Sequence, residues 1–151
     1  MEEEARPDVH ENPLAFFRWF YAAGLIASAT EVGRDLAEER WHPDVVVFQA
    51  AEVPDTAGEF HGYDGLDALF TELSESIERM EWNPVEVTPA GKDRFLVEFD
   101  PTIHTPHGMT LSWHQVGSWI GHLVTMHADG RMVRLETYMD ESKAREAAGL
   151  D

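Results

Sequence analysis

Residues 119–127, WIGHLVTMH, form an apolar, β-branched run with His122 in its middle. A titratable ring in such a run requires a partner, a route to solvent or a chemical role. A neutral imidazole can donate or accept a hydrogen bond, and its ordinary pKa lies near working pH. General acid/base work, or donation to an oxyanion, is therefore open to His122. The plainer reading is a buried ring satisfied by a neighbouring hydroxyl or carbonyl. The other histidines raise metal chemistry. His104 and His107 are three apart, with His114, His122 and His127 downstream. That pair straddles the turn HTPHG, where ring directions are not fixed, and no HExxH or carboxylate pattern accompanies it. We expect no metal site, and take His104, at a strand end, as a polar contact near His122.

Strand parity sorts the neighbours. If His122 points inward, then His114, Val116, Ser118, Ile120, Val124 and Met126 do too. Trp113, Gln115, Trp119 and Leu123 then point outward, and two indoles on an outer face require cover. We assign Trp113, Trp119 and Leu123 to a partner subunit. In the last strand Val133, Leu135, Thr137 and Met139 share the inner face, as do Phe95, Val97 and Phe99 in an earlier one. Each has core packing as its ordinary reading.

The whole chain bounds these options. At 151 residues it fits one domain, residues 12–151, behind an acidic tail at 1–11 that is expected to fray. The 29 acidic against 11 basic residues give a net charge of −18. Such a chain repels phosphate backbones and anionic lipids, so neither nucleic acid nor membrane is an expected partner. It has no cysteine, hence no disulfide or thiolate chemistry. No apolar run reaches the roughly 20 residues of a membrane span, and the acidic N-terminus lacks a signal-peptide core. A cytoplasmic protein is the default expectation.

The elements that must position these residues follow from pattern. Asn12 caps and Pro13 opens a largely apolar helix carrying Phe20 and Tyr21. Ser28 and Glu31 make a capping box for a second, acidic helix that ends at Pro43. DVVVFQA is a strand that leaves Gln49 near its end, and VPDTAGEFHGYDG reads as a loop. Leu66, Leu69, Phe70, Leu73, Ile77 and Met80 recur at helical spacing. From Trp82 the period becomes two: WNPVEVTP, RFLVEFD, one long strand over residues 110–126, and RMVRLETYM. Gly117 and Gly121 are the expected bulge points of the long strand. Asp140 caps a last short helix that stops at Gly149. Helices set on one face of a curved, mainly antiparallel sheet define an α+β fold. Such a sheet encloses a cone, with an internal pocket at its open end.

Three segments resemble the SnoaL-like branch of the NTF2-like superfamily: HPDVVVF, GEFHGYDGLDALFTEL and HADGRMVRLETYMDESKAREAAGL. They mark the fold as an NTF2-like cone over about residues 13–151. The resemblance implies an apolar pocket, no cofactor, frequent homodimers, and proton-transfer chemistry on small hydrophobic molecules. Ketosteroid isomerase, of the same superfamily, carries an aspartic acid at the position of His122, eight residues before the hairpin glycine that is Gly130 here. Its general-base aspartate aligns with Gln49, which takes no proton at neutral pH. Its oxyanion-binding tyrosine falls near Phe20, with Tyr21 adjacent. The resemblance therefore implies a cofactor-independent acid/base enzyme of cyclase, isomerase, dehydratase or hydrolase type. His122 is then the catalytic candidate. Gln49, Tyr21, His104, Phe20, Phe99, Ile120, Leu135, Thr137 and Met139 are the ligand-binding candidates. The rivals are a non-catalytic binding protein of the same fold, and a dimeric interaction module whose pocket is filled by its own side chains.

Overall fold

The structure, a computed structural model, describes residues 7–22, 39–49, 58–74, 79–104, 108–112 and 119–150. Helix α1 (Pro13–Ala22) is followed by strands β1 (Trp41–Gln49) and β2 (Gly58–His61) and by helix α2 (Gly62–Ser74). Next come β3 (Arg79–Glu81), β4 (Pro84–Pro89), β5 (Arg94–Phe99), β6 (Thr102–His104), β7 (Thr110–Ser112), β8 (Gly121–Met126) and β9 (Met132–Tyr138). Helix α3 (Glu141–Ala148) closes the order. Six strands form one sheet in the order β2-β1-β9-β8-β5-β4, parallel only between β1 and β9. Strands β3, β6 and β7 form a smaller antiparallel sheet.

Asn12 accepts the Ala15 N–H at 3.2 Å, so α1 begins at its expected cap. Phe16, Phe17, Phe20 and Tyr21 line one side of α1 and are buried against the sheet, beside Leu66 and Leu69 of α2. Trp41, Val45, Val47, Phe95, Val97, Phe99, Ile120, Val124, Met126, Met132 and Leu135 complete this inner core. The opposite face carries Leu96, Leu123 and Tyr138, which α3 covers with Ala144 and Ala148. Asp140 accepts the Lys143 N–H, and Gly149 ends α3 with φ +74°, both as the sequence indicates.

Several expectations are corrected. Residues 8–11 form a turn ahead of α1. Asp8 accepts the N–H groups of His10 and Glu11, and the His10 ring lies 5.8 Å from Phe95. The expected loop before α2 contains β2, a short edge strand paired with β1. Met80 belongs to β3, not to the helix. The long strand over 110–126 is two strands in different sheets. Gly121 is regularly paired with Glu98 and Tyr138, and the register shift of β8 falls between Thr125 and Met126. That shift puts Met132 rather than Val133 into the core. The Ser28–Glu31 capping box, His107, His114, Val116, Ser118, Trp113, Gln115 and Gly117 lie outside the described residues. No described helix is long and apolar enough to cross a membrane.

Candidate functional site

Four strands bring four side chains into one row on the inner face. Gln49 on β1 stands beside Thr137 on β9; Thr137 is opposite His122 on β8; His122 is opposite Val97 on β5. Gln49, Thr137 and His122 are buried, and they are polar in an otherwise apolar wall. Helix α1 closes over the row. The Tyr21 hydroxyl lies 2.8 Å from His122 Nδ1. Phe99 and Trp82 pack on the imidazole at ring separations of 4.8 and 4.9 Å, and Phe99 also meets Tyr21 edge-on at 4.8 Å.

This shell sets the protonation states. Burial lowers the His122 pKa from its ordinary value to about 3, so the ring is neutral at working pH. Burial likewise holds the Tyr21 phenol well above its usual range, so it keeps its proton. Among the described residues, Tyr21 is the hydrogen-bond partner of His122, and His122 that of Tyr21. If the ring proton were on Nδ1, the phenol O–H and the Nε2 lone pair would both lack a described partner. With the proton on Nε2, the phenol donates to Nδ1, and Nε2–H alone remains to bond elsewhere. Buried donors demand acceptors, so the second tautomer is favoured. In that tautomer Tyr21 orients a neutral imidazole whose Nε2 carries the proton.

The structure brings together His122, Tyr21, Gln49, Thr137, Phe20, Phe99, Ile120 and Leu135, all on the inner side. It places His104 on the smaller sheet, where Nε2 meets Glu81 at 3.0 Å and Nδ1 meets the Thr110 hydroxyl at 3.3 Å. Met139 lies past the end of β9, where the alternation stops, and packs with the outer-face cluster. Leu123, assigned to a partner, has no exposed surface because the chain's own α3 covers it. Trp119 packs against the same cluster and donates Nε1–H to Glu98 at 2.9 Å. Sequence reading missed two residues. Trp82 joins the ring shell from the turn between β3 and β4, and nothing local in the sequence ties it to His122. Arg40 is buried with its guanidinium 4.3 Å over the Trp19 ring, an arrangement only tertiary packing creates. For metals, the described residues offer one cluster, His42, His127 and Asp129, at the far end of β8 from His122.

Solved structures share this architecture at low identity. TerC, co-crystallised with polyporic acid, is 20% identical; the match covers 86% of this chain and 92% of that one, with a TM-score of 0.61. A candidate SnoaL-like polyketide cyclase from Jannaschia sp. CCS1 matches over 99% of both chains at 18% identity, with a TM-score of 0.61. A protein of ketosteroid isomerase-like fold from Catenulispora acidiphila DSM 44928, in complex with trimethylamine, is 12% identical, covering 88% and 92% of the two chains with a TM-score of 0.58. No family model matches the chain, and no curated protein matches it in sequence. The fold is the NTF2-like α+β cone, in the form that SnoaL-like and ketosteroid isomerase-like proteins share. A fold of this kind hosts many chemistries, so function has to be argued from the site.

Proposed function

We propose that this chain binds a small hydrophobic, carbonyl-bearing molecule in the cone, and that the Tyr21–His122 pair stabilises negative charge on the ligand oxygen. The observation that carries this reading is the 2.8 Å contact between two buried polar groups inside an aromatic shell. His122 gives Nε2–H to the oxygen, while Tyr21 holds the tautomer. Thr137 and Gln49 supply polar contacts along the row, and Phe20, Phe99, Ile120 and Leu135 supply apolar walls. When a water molecule takes the proton from the carbon next to the carbonyl, charge builds on the oxygen. A preorganised donor in a dry site then gains strength, with effects on the order of 10²–10³ in rate. The chemistry is cofactor-independent enolisation, of the kind that underlies isomerisation and ring closure. That TerC was crystallised with polyporic acid supports an organic ligand for the fold.

A second reading is binding without turnover. Two observations favour it: Gln49 stands where a general base is expected, and a histidine with a pKa of about 3 is a poor base at neutral pH.

The probes are 1-tetralone, a cyclic aryl ketone, and tetralin, its carbonyl-free parent. Calorimetry should give tighter binding of the ketone, with a loss of about tenfold in His122→Asn, the worth of one hydrogen bond. Tetralin should be indifferent to that substitution. Deuterium exchange at the carbon beside the carbonyl separates the two readings, because only the enzyme accelerates it. Binding of neither probe, or equal binding of both, contradicts the proposal.

A further inference from the structure

We propose that His42, His127 and Asp129 form a binding site for one divalent transition-metal ion of the zinc class. The cluster is built by tertiary structure. The β8–β9 turn opens at His127, which accepts the Asp129 N–H on Nδ1 at 3.1 Å. Gly130 continues it at φ +87°, and the His127 N–H donates to Arg131 O at 2.8 Å. Parallel pairing sets Trp41 beside Met132, which brings the following residue, His42, to that turn from the start of β1. Register shifts lie on both sides, in β1 after Trp41 and in β8 before Met126, where bulges re-aim side chains. The two imidazoles stack, with ring centres 4.3 Å apart and planes at 29°.

The donor atoms suit a small cation. Atoms of all three residues lie within 4.8 Å of one another. His127 Nδ1 and Asp129 Oδ1 are 3.3 Å apart. Two ligands of a tetrahedral ion with bonds near 2.0–2.1 Å stand about 3.4 Å apart, so this edge is already set. Arg131 anchors the carboxylate through Oδ2 at 2.9 Å and holds the Asp129 pKa down to about 2, so the group is ionised. Neutral imidazole ligates without losing a proton. His42 Nδ1 accepts the Asp44 N–H at 3.0 Å and lies 3.8 Å from Asp44 Oδ2. Coordination through either Nδ1 trades a neutral amide hydrogen bond for a metal bond. Two nitrogens and one oxygen select zinc-like ions over calcium or magnesium, with water completing the shell. The net charge of −18 attracts cations.

The test is calorimetric titration of EDTA-stripped protein with Zn²⁺ alone at pH 7.5. One equivalent should bind. His42→Ala and His127→Ala should each weaken binding at least tenfold, and Asp129→Asn several-fold. His10→Ala and His61→Ala, at exposed histidines elsewhere, should change nothing. If His42→Ala fails to fold by circular dichroism, the exposed His127 and Asp129 variants carry the test. Absence of stoichiometric uptake, or equal loss in the control variants, overturns the proposal.

Discussion

A neutral histidine buried among Phe99, Trp82 and Tyr21 couples folding to pH. Unfolded, His122 takes a proton near pH 6.5. Folded, it holds the proton off until about pH 3. The folded value is the lower, so this contribution is complete above pH 6.5 and is lost as pH falls toward 3. The slope is at most about 1.4 kcal/mol per pH unit. Urea unfolding at pH 7 and pH 5 should cost the wild type about 2 kcal/mol more than His122→Gln. At this scale the sequence was half legible. Strand parity placed His122, Ile120 and Val124 on one side of the sheet. The Tyr21 hydroxyl, 101 residues away, was beyond local pattern because α1 must first dock. The contact of His104 with Glu81 was not legible, because Glu81 lies on a short strand that the sequence pattern does not mark.

The elements that fix His122 are β8 and its neighbours. Gly121 lets the Trp119 indole approach the strand closely, and a Cβ there would collide with the ring. Because Trp119 is tied to Glu98, it yields only by breaking that bond. Gly121→Ala should therefore destabilise by about 1–3 kcal/mol, an overpacking cost measurable by urea unfolding. It should also perturb ligand affinity through the adjacent His122. The glycine was legible as special but not for its reason, since close approach and a bulge leave the same mark in a sequence. Capping at Asn12, Asp140 and Gly149 was legible because caps are local chemistry. The β2 edge strand was not, because its residues carry turn-former composition and gain order only by pairing with β1.

For the whole molecule, the sheet works as a wall between two apolar layers, with α1 and α2 on one side and α3 on the other. Alternation correctly gave Leu123 and Trp119 to the outer layer, but alternation does not say what covers a face. Here α3 supplies cover that was assigned to a second subunit. Truncation after Asp140 should bare Leu96, Leu123 and Tyr138 and make the chain self-associate, as light scattering would register. A truncated chain that stays monomeric would contradict this layering. The account as a whole stands on a neutral His122 that presents Nε2–H to a ligand, and ring-nitrogen NMR tests that most directly. The prediction is a lone-pair signal at Nδ1 and a protonated signal at Nε2 from pH 8 to pH 5, with the Nε2 signal moving when 1-tetralone is added. A ring that protonates near pH 6.5, or that ignores the ketone, would contradict it.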